Sequence, residues 1–158
     1  MAAEGKSLRA ETTIRRFRPE DAAVVSQIME ESPEAARWSK ESYEASGGWG
    51  GVLSLVSETN GELGGVLIVR QVEDEGEVLN LAVRQGNRRR GEGGALLEAA
   101  LAELKGGGVT HVYLEVRESN SAGIAFYQKH GFSKTGRRKS YYRNPEEAAV
   151  LLEKKLTG

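Results

Sequence analysis

The chain has 158 residues, a formal net charge of −1 and no cysteine. That length suits one domain with a sizeable core, and the balanced charge offers no basic field for nucleic acid. Disulfides, thiolate metal sites and a cysteine nucleophile are excluded, and the absence of an 18-residue apolar run or a signal-peptide pattern makes the cytoplasm the expected location, with no membrane partner.

Residues 1–11 are small, polar and aperiodic, and are read as a flexible N-terminal tail to a single domain over 12–158. Residues 12–17 read as a strand. Pro19 opens a helix over 20–31, with Val24, Val25, Ile28 and Met29 on one stripe, and Pro33 ends it. Trp38-Ser39 starts a second short helix with Ser39 as its N-cap. Gly47 to Gly51 is a break. Residues 52–57 and 62–71 read as strands joined at Asn60-Gly61, a strong hairpin signal. A turn at 74–76 leads to a strand over 78–83, which completes an antiparallel meander.

A helix over 93–105 follows, with Leu96, Leu97, Ala100, Leu101 and Leu104 on its inner stripe, and Gly106 to Gly108 stops it. Residues 111–116 form a strand with Val112, Leu114 and Val116 on one face and His111, Tyr113 and Glu115 on the other. Ser119 or Asn120 caps a short helix over 122–129. Strands over 133–142 and 148–156 follow, the last closing the sheet. The order is β-α-α-β-β-β-α-β-α-β-β, a mixed α/β single domain. His111 and His130 lack paired metal-binding spacing, so no metal is expected, and both read as surface or packing residues.

The most informative stretch joins the strand 78–83 to the helix at 93. Gly91, Gly93 and Gly94 lead straight into the helix start, with Arg88, Arg89 and Arg90 before them. The first helical turn has N–H groups without helical partners, and the helix dipole favours negative charge there, so the loop suits a pyrophosphate. A dinucleotide fingerprint fails because Leu96 stands where the third glycine belongs, and no Gly-Lys-Ser/Thr follows for a P-loop. On the glycines alone, a plain helix-capping turn remains the alternative.

Two further stretches carry a resemblance. Arg88-Arg89-Arg90-Gly91-Glu92-Gly93 resembles the Q/R-x-x-G-x-G/A acetyl-CoA loop of the GNAT acetyltransferase superfamily. Asn120, Ala125, Tyr127 and Gly131-Phe132 resemble its later signature. Asn80-Leu81-Ala82-Val83, Leu114 to Asn120, Ala125-Phe126-Tyr127 and Ser140-Tyr141-Tyr142 are similar to the RimI-type ribosomal protein alanine N-acetyltransferases, across residues 12–156. Departures are Arg37 before Trp38, the segment 143–148, and Glu92, a carboxylate within the loop whose side chain is expected to face solvent, with some loss of cofactor affinity. The implied fold is a mixed, mostly antiparallel sheet with helices packed on both faces and a splayed central strand pair.

The resemblance also implies the chemistry: transfer of acetyl from acetyl-CoA to a protein N-terminal α-amine, on a small-subunit ribosomal protein beginning with alanine. Leu81, Ala82 and Val83 would hold the thioester and pantetheine through their backbone. Arg88 to Gly94 would hold the pyrophosphate, and Asn120 the pantetheine arm. Glu115 would be the base and Tyr127 the acid. Trp38, Tyr141 and Tyr142 would line the acceptor side, with packing an equal role for the two tyrosines. An α-amine titrates near ~8 and lysine near ~10.4, so a single carboxylate suits the former better. With no cysteine, a thiol acyl-enzyme is excluded and direct transfer in a ternary complex follows, by a monomer or weak homodimer. Rival readings are a lysine or small-amine acetyltransferase and a non-catalytic acyl-CoA sensor, the latter opposed by Glu115 and Tyr127.

Overall fold

The apolar alternation of the strands is realised as one sheet in a computed structural model that describes residues 11–32, 50–84, 86, 91–143 and 145–156. The short helix expected after Trp38, Trp38 itself, and Arg88, Arg89 and Arg90 lie outside the described residues. The described elements are β1 (Thr12–Arg16), a 3-10 turn (Pro19–Asp21), α1 (Ala22–Glu30), β2 (Val52–Thr59), β3 (Glu62–Val72), β4 (Glu75–Val83), α2 (Glu92–Gly106), β5 (His111–Arg117), α3 (Ser121–Lys129), β6 (Ser133–Tyr142) and β7 (Glu147–Lys155). The strands lie in the order β1-β2-β3-β4-β5-β7-β6, and every neighbouring pair is antiparallel except β4 and β5.

Helices cover both faces. On one, Ala22, Val25, Ile28 and Met29 of α1 pack on Val56, Val66, Ile68 and Ala82. On the other, Leu96, Leu97, Ala100, Leu101 and Leu104 of α2 pack on Leu55, Leu67, Val69 and Val112, and Tyr127 and Phe132 extend that layer. β3 is therefore buried continuously from Leu63 to Val69. Ile28, Leu96 and Leu97 are fully buried, and each such side chain contributes about 1.5–3 kcal/mol.

Turn chemistry sets the meander. Asn60 and Gly61 have φ of 54° and 79° and join Thr59 to Glu62, the two-residue turn whose twist matches that of the strands. A second two-residue turn at Glu73 and Asp74 pairs Val72 with Glu75. β4 thus begins at Glu75 rather than 78, because its first three residues are Glu, Gly and Glu and show no apolar alternation. The last strand does not close the sheet at its edge. β7 inserts between β5 and β6, because Ala148, Ala149, Val150 and Leu152 must be buried, whereas β6 is rich in charge and suits an edge.

Two irregularities position the site. β4 and β5 pair only from Glu75↔His111 to Glu77↔Tyr113. Beyond that, β4 stays on β3 as far as Val83 and β5 stays on β7 as far as Arg117, so the central pair splays into a V. In β6, Arg138 pairs with Ala149 and Tyr142 with Glu147, leaving Lys139, Ser140 and Tyr141 opposite Ala148 alone. Ser140 takes a φ of 55° there, and the bulge sets Tyr141 and Tyr142 side by side with ring centroids 5.1 Å apart.

Candidate active site

The glycine loop ends at Gly91, the N-cap of α2, with φ 82° in the left-handed region. The first backbone bond of the helix runs from Ala95 N to Gly91 O at 2.9 Å, so the earlier N–H groups of the turn precede the helical ladder. Glu92 departs from expectation. It is 5% exposed, not solvent-facing, and accepts from Ser57 Oγ at 3.2 Å and Thr59 Oγ1 at 3.4 Å. Its carboxylate docks the helix start on β2, at the end of the helix where the dipole favours an anion. Gly93 and Gly94 lie under α3. A Cβ on Gly93 would stand 3.5 Å from the Phe126 ring, and one on Gly94 would stand 3.1 Å from His130 Cε1 and Nε2.

On β4, Arg84 N donates to Gly64 O at 2.7 Å. By the alternation of an antiparallel ladder, Ala82 also turns its backbone polar groups to β3, while Leu81 and Val83 turn theirs into the V. Ala82 thus differs from its two neighbours, and its side chain is buried in the α1 layer.

Glu115 stands on the face of β5 opposite Leu114 and Val116. Its side chain is 18% exposed, and its Oε2 is buried and accepts no hydrogen bond from the described residues. Leaving a buried acceptor without a donor costs about 1–3 kcal/mol, so this oxygen is set to receive an N–H. Among the described residues, Arg138 Nη1 lies 3.9 Å from Oε2, and its guanidinium lies 5.2 Å from the Tyr141 ring centre. Burial, then Glu115, pushes the Tyr141 phenol above the ordinary tyrosine range.

Asn120 is the N-cap of α3, its Oδ1 accepting from Gly123 N at 2.9 Å. Two turns of helix later the Tyr127 ring is buried between Phe126 and Phe132, at centroid distances of 5.1 and 5.5 Å. Burial pushes its phenol well above the ordinary range, and Tyr142 adds to the effect. Tyr142 is itself pushed up to about 12, by burial first and then by Glu115. Tyr142 is therefore within electrostatic reach of both Glu115 and Tyr127. Those two residues stand on opposite faces of β5, and the V is where one bound molecule could touch both.

The sequence reading missed a clamp. Arg117 donates to Pro145 O at 3.1 Å, Arg143 O at 3.0 Å and Glu147 Oε1 at 3.2 Å, and its Cζ lies 4.5 Å from the Tyr142 ring centre. Glu147 Oε2 also accepts from Ser119 N at 2.6 Å. Ser119, and after it Arg117, hold the Glu147 carboxyl below the usual range. Arg117 was part of a quoted motif, but no spacing rule links it to Glu147, 30 residues on. Among the described residues no group of three or more His, Cys, Asp or Glu could hold a metal ion, and no helix is long and apolar enough to cross a membrane.

Residues 22–132 match the Acetyltransferase (GNAT) family. The ribosomal protein bS18-alanine N-acetyltransferase of Escherichia coli (strain K12) is 36% identical over 126 residues, 78% of this chain and 84% of that protein. The crystal structure of the ribosomal-protein-S18-alanine N-acetyltransferase from Escherichia coli superposes with a TM-score of 0.82 at 31% identity, covering 94% of this chain and 97% of that one. Ard1 from Thermoplasma volcanium superposes with a TM-score of 0.84 at 27% identity, covering 93% and 99%.

Proposed function

This chain belongs to the GNAT acetyltransferase family and is an N-acetyltransferase; from that premise we propose that it moves acetyl from acetyl-CoA to the α-amine of a protein N-terminus, the N-terminal alanine of a small-subunit ribosomal protein, by direct transfer in a ternary complex. The observation that carries the reading is the V between β4 and β5, with a buried Glu115 oxygen that has no donor among the described residues on one face and the buried Tyr127 ring on the other. The E. coli relative at 36% identity supports the choice of acceptor.

The residues present fit acetyl-CoA. The start of α2 offers backbone N–H groups behind a left-handed Gly91, Leu81 turns its backbone polar groups into the V, and the Glu92 carboxylate is turned onto β2. In this reading Arg88, Arg89, Arg90 and Gly91 to Gly94 hold the diphosphate, Leu81, Val83 and Asn120 line the pantetheine arm, Ala82 facing β3 instead, and acetyl-CoA supplies an activated acyl group. Glu115 accepts a proton from the incoming α-ammonium and passes it to solvent. An α-amine near ~8 makes this a short step, whereas lysine near ~10.4 asks far more of one carboxylate. Tyr127 stays protonated and hydrogen-bonds to the departing sulfur. Its proton passes there and is replaced from the acceptor nitrogen, so one proton reaches solvent and one the thiol. Tyr141 and Tyr142, held by the Arg117 clamp, wall the acceptor side, and Trp38 is assigned to acceptor binding with them. The domain spans 12–158 behind a short tail and works in the cytoplasm as a monomer or weak homodimer.

Intact-mass spectrometry of a peptide beginning with alanine, incubated with acetyl-CoA and the enzyme, tests this reading. One acetyl group on the α-amine is expected. Equal acetylation of an N-terminally blocked peptide with an internal lysine would overturn the N-terminal assignment and leave the acetyltransferase standing.

A further inference from the structure

We infer that His130 grips the diphosphate end of the cofactor and takes up a proton as it does so, an inference that rests on the α2 loop holding acetyl-CoA. His130 follows α3 directly. Its Nδ1 is 2.8 Å from Glu98 Oε2 on α2, and its ring lies 4.8 Å from that of Phe126, tilted by 52°. These contacts aim the opposite edge of the ring at the glycine loop: Cε1 and Nε2 stand 3.1 Å from where a Gly94 Cβ would be. Gly94 is the third residue of α2, within the first turn, whose N–H groups suit an anion. The absent side chain is thus what lets an imidazole nitrogen lie beside the anion-binding turn. The ring is not sealed in, with its side chain 18% exposed.

The tautomer follows from the partners. An ionised carboxylate only accepts, so Nδ1 carries the proton given to Glu98, and in the neutral ring Nε2 is an acceptor. A phosphate oxygen is also an acceptor. The two can share a hydrogen bond only if the ring gains a second proton and stands as imidazolium between Glu98 and the diphosphate. That second proton is taken from solvent as the ligand binds. Among the described residues, the charged groups facing this end of α3 are Glu98 of α2 and Lys154 of β7, whose ammonium lies against Gly131; Lys129 precedes His130 in the chain.

The test is calorimetric titration of the wild type and His130→Leu in two buffers of different ionisation heat near neutral pH. Acetyl-CoA should bind the wild type with proton uptake. In His130→Leu the uptake should vanish and the affinity fall about fivefold, as for a partly exposed ion pair. S-acetylpantetheine, which lacks the diphosphate, should bind both proteins alike. Glu98→Gln, at a 61% exposed position on the outside of α2, should reduce the uptake without disturbing the ring packing. Unchanged uptake in both variants, or an equal loss of affinity for both ligands in His130→Leu, overturns the inference. Gly93→Asp separates the two levels: if it leaves acetyl-CoA affinity intact, the loop reading itself fails, whereas loss of binding there with no change in His130→Leu removes only the role of His130.

Discussion

Tyr127→Phe separates catalysis from packing at the residue where both readings meet. The ring belongs to the core, 9% exposed and in edge contact with Phe126 and Phe132. Phenylalanine keeps those contacts and removes only the hydroxyl, which forms no hydrogen bond among the described residues. Because the ring packing is kept, the variant should be about as stable as the wild type. For a domain of this size each kcal/mol moves Tm by roughly 2–4 °C, and a change of no more than a few degrees is expected in differential scanning fluorimetry. Catalysis should fall. Loss of a proton donor to the departing sulfur should lower kcat about 10²-fold, or about 2.7 kcal/mol, with the acetyl-CoA Kd from calorimetry almost unchanged. Because burial holds the phenol above the ordinary tyrosine range, no alkaline limb from this group should appear in the wild-type rate below about pH 10. A near-wild-type kcat would return Tyr127 to the core. A Tm several degrees lower would show that the hydroxyl is a structural hydrogen-bonding group, and would refute the reasoning from retained ring packing.

Glu115→Gln should lower kcat/KM about 10²-fold at pH 7, and the deficit should shrink as pH rises past the α-amine's own value of about 8, where free amine needs no base; a deficit that persists to about pH 10 would point to a lysine acceptor. Arg117→Met should release the turn before β7, which Arg117 holds through Pro145 O, Arg143 O and Glu147. The KM for the acceptor peptide should rise about tenfold, equivalent to about 1.4 kcal/mol, and a rise confined to the KM for acetyl-CoA would contradict the placement of that turn on the acceptor side. Acid stability should report Asp21. Burial raises its pKa, but hydrogen bonds from Arg15 and the Arg18 amide outweigh that and leave it below the ordinary 3.8. A lowered folded-state value means the stabilisation is complete above the unfolded value and is lost as pH falls through the folded one. The urea midpoint should therefore drop below about pH 3.8 in the wild type, and Asp21→Asn should start about 1–2 kcal/mol lower at pH 6 and show a shallower drop; an unaltered acid slope in the variant would place the effect elsewhere.

Local chemistry was legible in the sequence. The stripe through Val25, Ile28 and Met29, the second through Leu96, Leu97, Leu101 and Leu104, and the Asn60-Gly61 turn all act over a few residues, and each became the element it implied. The glycine-loop motif, followed in order by the Asn120 to Phe132 signature, pointed to the acetyltransferase family, to which the chain belongs. The tertiary structure decided what depends on residues far apart in the chain. It placed β7 inside β6, because burial on both faces is a property of the whole sheet. It opened the V after Tyr113, because β5 follows β7 while β4 follows β3. It turned Glu92 onto Ser57 and Thr59, drew Arg117 to the turn before Glu147, and laid His130 on Gly94. A side chain's partner is set by which strand or helix lies beside its own, and that neighbour is chosen by the sheet as a whole, outside any local window of sequence.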